Sequence, residues 1–136
     1  MTRVLYRVAA SLIFLFDVGH TAGCPWSDPR WGVDLGGMKT RHFEILGFSR
    51  TYWHFYVGFG LFVTAFLLLA AILAWQLGGL PAQSLRLLRV TAWALVLCFA
   101  ATTVLSWMYF FAIPIAFSSA ITLCLIAAAW TSTRAA

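Results

Sequence analysis

Four long apolar runs, separated by charged or turn-forming segments, set the pattern of this chain. They cover residues 4–23, 51–76, 86–110 and 113–131. A helix rises 1.5 Å per residue, so about 20 apolar residues cross a hydrocarbon layer ~30 Å thick. The pattern therefore predicts four membrane-spanning helices and an all-α, integral membrane four-helix bundle over residues 1–136 as one domain. Between the first two runs lies the one long polar stretch, 24–50, which is expected to form a loop that caps the bundle. Pro25, Pro29, Gly32, Gly36 and Gly37 break any long helix there. Within it, Met38 to Leu46 (MKTRHFEIL) reads as a short helix lying at the interface, with Met38, Ile45 and Leu46 on its apolar side. Trp26, Trp31, Phe43 and Phe48 argue that the loop is ordered.

Composition agrees with this pattern. Of 136 residues, 62% are hydrophobic and 10% charged, too few charges to cover a soluble domain of this size. The net charge of +5 does not point to nucleic acid, because the basic residues stand singly between apolar runs and form no stripe. They act better as topology signals. Arg3, Arg7, Arg86, Arg89 and Arg134 fall on one side of a four-span chain; Arg30, Lys39, Arg41 and Arg50 fall on the other. The excess places both termini inside the cell, in the plasma (inner) membrane. Arg3, Arg7 and the following VAASLIFLF, with TAGC at 21–24, have features of a cleaved leader. Asp17 and His20 interrupt that apolar region before the cleavage point, which favours a retained span.

Asp17 and His20 lie three residues apart, on one helical face, near the end of the first span. A carboxylate in such a segment is costly and marks a functional site by default. His20 sits three residues before the end of span 1 and His54 three after the start of span 2, so both lie about 4–5 Å inside one boundary, with Asp17 about 9 Å inside. Ser106, Trp107, Tyr109 and Pro114 reach the same boundary from spans 3 and 4. Titratable and aromatic residues thus collect at one end, where a pocket is expected. Asp17 is the candidate acid/base or cation partner, with His20 orienting it. Trp53, His54, Tyr56, Trp107 and Tyr109 are the candidate ligand-binding residues. Gly58 and Gly60 are expected to permit close helix approach.

His20 and His54 at equal depth also match what a bis-histidine haem requires, and with Asp17 they form a donor set for a metal. Histidine and aromatic residues favour membrane interfaces in any case, and no cofactor or metal is expected. Cys24, Cys98 and Cys124 show no metal-ligand spacing; the last two fall at similar depth, within reach of each other.

GHT at 19–21, YWHFYVGFGL at 52–61 and SWMYFFAIPI at 106–115 resemble a family of small bacterial four-span membrane proteins of unassigned function. That resemblance implies the architecture and no activity. DVGHTAG is similar to the acid-bearing first helix of small multidrug-resistance transporters, in which a membrane carboxylate exchanges protons for cationic drugs. Their first loop is shorter than the 27 residues of 24–50. Sterol-isomerase-like four-span proteins also set membrane acids against a lipophilic ligand, and they carry more acids than this chain's single Asp17.

Three functions remain open at this point. One is binding of a lipophilic small molecule or membrane lipid at the outer end, with or without acid/base chemistry. The second is a proton-coupled transporter working as a homodimer through Asp17. The third is a structural or assembly subunit in which Asp17 and His20 are a packing device. No nucleic-acid partner is expected.

Overall fold

The computed structural model describes residues 1–23 and 32–134, the last two of these by their backbone alone. The expectations for Cys24, Trp26 and Trp31 lie outside the described residues. Six helices and one hairpin follow in order: α1 (Thr2–Gly23), α2 (Leu35–Thr40), β1 (His42–Ile45), β2 (Phe48–Thr51), α3 (Tyr52–Leu77), α4 (Ala82–Leu87), α5 (Arg89–Tyr109) and α6 (Ala112–Arg134). α1, α3, α5 and α6 are each long and apolar enough to cross a membrane. The chain is a multi-pass membrane protein, and its fold is all-α. The many exposed Leu, Val, Ile and Phe side chains on these helices would be an aggregation hazard in water; in a bilayer they face hydrocarbon.

The chain divides into two compact units, Met1–Phe16 with Leu67–Ala136, and Asp17–Phe66. The first unit is a bundle built from parts of all four spanning helices. Tyr6, Ala9, Ala10 and Ile13 of α1, Leu67, Ala71 and Ala74 of α3, Ala92, Leu95, Val96 and Phe99 of α5, and Ile121, Leu125, Ala128 and Ala129 of α6 form its core. Alanine is prominent because helices in lipid associate through close packing rather than hydrophobic expulsion, and small side chains let backbones approach. Hydroxyl bonds add to this: Thr103 meets Thr122 at 3.0 Å between α5 and α6, and Thr2 donates to Thr131 at 3.0 Å. The start of α1 therefore lies beside the end of α6. Arg7 places its guanidinium 3.6 Å from the centre of the Trp75 ring. A Cβ on Gly78 would come within 3.2 Å of the Arg7 side chain, so the glycine makes room for the cation at the C-terminal end of α3.

The third span differs from its expected course. Leu88, at φ −94° and ψ 17°, separates α4 from α5, so the spanning helix begins at Arg89 rather than at 86. Pro81 starts α4. Pro114 falls in the first turn of α6, where no backbone N–H is needed. Cys98 and Cys124 are both free thiols.

In the second unit the expected interfacial helix over Met38 to Leu46 is replaced. The helix covers Leu35–Thr40, capped by Asp34, whose carboxylate accepts the Gly37 N–H at 2.9 Å. A hairpin follows, pairing His42 with Thr51, Phe43 with Arg50, Glu44 with Ser49 and Ile45 with Phe48. Its turn is Leu46–Gly47, both at positive φ (50° and 81°). That is the sense of twist two-residue hairpin loops require. Asn-Gly or Asp-Gly would have announced the turn; Leu-Gly does not, and the helical spacing of Met38, Ile45 and Leu46 was coincidental. Phe43 packs its ring against Tyr52 at 5.1 Å and Phe55 at 5.6 Å, which joins the hairpin to the start of α3.

Candidate functional site

Asp17 continues the stripe of Tyr6, Ala10 and Ile13 along α1, and it is only 6% exposed. Its hydrogen-bonding partner is Thr21, one turn further on, whose hydroxyl donates to Oδ1 at 3.5 Å. That bond is long, and a carboxylate accepts several. Thr21 also lies 2.8 Å from the Thr64 hydroxyl of α3. Because the Thr21 proton is directed to Asp17, Thr64 must donate to Thr21. The result is a one-way chain of hydroxyls, Thr64 to Thr21 to Asp17.

His20 does not orient this carboxylate by a direct bond. Its Nε2 lies 3.0 Å from the Gly60 carbonyl of α3. A carbonyl only accepts, so Nε2 carries the proton and donates. Among the described residues Asp17 forms no ion pair; Arg41 and Asp34 pair at 3.9 Å on the exposed surface. A buried carboxylate thus stands in a membrane helix with one weak bond and, among the described residues, no ion pair.

His54 has a different local role. Its Nδ1 accepts the Thr51 N–H at 3.1 Å, and its own N–H donates to the Thr51 hydroxyl at 3.3 Å. This is a capping box, with histidine where Glu or Gln usually stands. It closes the N-terminus of α3 at the hairpin junction. The accepting Nδ1 leaves the ring proton on Nε2. Thr51→Ala should lower stability by about 1 kcal/mol, and His54→Gln should preserve the box where His54→Ala does not. Thermal unfolding of the three variants in one detergent checks this; equal midpoints for all would remove the cap from the account.

Trp53 and Tyr56 stack at 5.3 Å, and the Lys39 ammonium lies 4.5 Å over the Trp53 ring. The i,i+4 pair Gly60 and Thr64 lies on the same side of α3 as Trp53 and Tyr56, and this side meets His20 and Thr21. The opposite side carries His54, Phe55, Gly58, Phe59 and Phe62. They line an open groove of about 230 Å³ together with Arg50. The residues expected to share one pocket are therefore divided between two faces of one helix. Gly58 does not serve a close helix contact: a Cβ there would meet nothing within 4 Å. Trp107 and Tyr109 belong to the other unit, at the end of α5, where they are 68% and 70% exposed.

Thr21 and Thr64 were missed in the sequence. Thr21 had a signal, its i+4 spacing from Asp17; Thr64 had none, since its role depends on which face of α3 meets α1. Among the described residues no group of three or more His, Cys, Asp or Glu side chains is placed to hold a metal. No family model, no curated protein and no solved structure matches the chain.

Proposed function

We propose that this membrane protein binds a lipophilic small molecule or lipid at the end where α1 finishes and α3 begins, with a positively charged group of the ligand facing Asp17. One observation carries the reading: Asp17 is buried, forms no ion pair among the described residues and has a single long hydrogen bond. Hydrocarbon penalises such a charge, and a ligand that brings the missing cation removes the penalty. His20, bonded to Gly60, fixes α1 against α3 in this region. A second reading is favoured by the hydroxyl chain that ends on Asp17, because such a chain passes protons. In that reading the protein is a proton-coupled transporter acting through Asp17 as a dimer, and cation entry into proteoliposomes would acidify the bath.

A thermal-shift screen of lipophilic amines, phosphonium ions and lipids tests the main reading. The best ligand should raise the melting temperature of the wild type and of His42→Ala, stabilise His20→Ala less, and leave Asp17→Asn unmoved. Equal stabilisation of Asp17→Asn would overturn it.

A further inference from the structure

The groove on the far side of α3 has no part in the Asp17 site and has its own chemistry. Its wall is hydrocarbon and aromatic: Phe55, Phe59 and Phe62, the last two 61% exposed. Its floor is Gly58, with open space above it. Phe62 lies ten residues past the start of α3, so the groove descends about 15 Å, the depth of one leaflet's hydrocarbon. At its upper end stand two donors, and no acid lines it among the described residues. Arg50 spends one N–H on the Ser49 carbonyl at 2.8 Å and leans over the Phe48 ring at 5.2 Å; among the described residues it forms no ion pair. His54, held by the capping box, keeps its proton on Nε2. A second depression of about 230 Å³ adjoins the first, lined by Ile45, Leu46 and Phe48 of the hairpin and sharing Arg50 and Phe55. A cation thus stands where two apolar depressions meet.

We propose that this face of α3 seats one anionic phospholipid, its phosphate on Arg50 and the His54 Nε2–H and an acyl chain along Phe55, Gly58, Phe59 and Phe62. Charge selects the occupant. A guanidinium offers paired N–H donors that match a phosphate, and among the described residues no carboxylate lines the groove to receive the choline of a zwitterionic lipid. The apolar length below it requires a chain, so a free phosphate does not satisfy the site.

The test uses the full chain in a neutral detergent, titrated with phosphatidylglycerol or phosphatidylcholine of identical chains and read by native mass spectrometry. The wild type should hold one phosphatidylglycerol about tenfold more tightly than phosphatidylcholine. Arg50→Gln, on an exposed side chain, should erase that preference. Gly58→Leu, which enters open space in a helix, should weaken both lipids without lowering the melting temperature. Equal affinity of the wild type for the two lipids overturns the proposal, as does an Arg50→Gln protein that keeps the preference, or a folded Gly58→Leu protein that binds both lipids as the wild type does.

Discussion

Asp17→Asn is expected to melt no lower than the wild type, and higher by roughly 1–3 kcal/mol of stability if the carboxylate is charged when no ligand is bound. The reason is local. Asparagine keeps the shape, still accepts the Thr21 hydroxyl through its amide oxygen, and removes a charge that no ion pair among the described residues compensates. A carboxylate whose charge the fold required would behave otherwise. If Asp17 were a structural clamp, its loss would resemble the breaking of a buried pair, which destabilises by about 3–5 kcal/mol. Chemical or thermal unfolding in one detergent, without ligand, separates the two. A fall of more than about 1 kcal/mol would show that the fold depends on the carboxylate, and the structural reading would replace the functional one.

Ala128→Leu is expected to be the more damaging change. Ala128 and Ala129 are 0% exposed in the core shared by α6 with α1, α3 and α5. Three added carbon atoms have no space there, and inserting them forces the helices apart at a cost of about 1–3 kcal/mol. The penalty matters more in lipid, where close packing is the main attraction between helices. Ala116→Leu on the exposed side of the same helix should change stability by less than about 0.5 kcal/mol. Equal midpoints for the two variants would mean that the helices are not packed as described.

The spanning helices were legible because their signal is length and hydrophobicity alone, which needs no knowledge of partners. Each observed boundary lies within a few residues of the expected one. The hairpin was not legible, since Leu46 and Gly47 take a turn geometry for which Leu is a poor advertisement. Asp17 stood out because a carboxylate in a hydrophobic run is conspicuous in any context. Its surroundings did not stand out. Spacing suggested His20 as the partner, whereas the imidazole reaches across to Gly60 and the carboxylate takes Thr21. Periodicity shows which residues share a face, and it is silent on which of them reaches a neighbouring helix. The same limit hid the division of α3. Trp53, His54 and Tyr56 are adjacent in sequence, yet rotation of about 100° per residue sends His54 to the opposite side from the other two.

Whether Asp17 takes up a cation is measured by equilibrium binding. Purified wild type and Asp17→Asn would be dialysed against radiolabelled tetraphenylphosphonium in the same uncharged detergent. The wild type should bind saturably, and Asp17→Asn about tenfold or more weakly. Indistinguishable binding curves for the two proteins would contradict it.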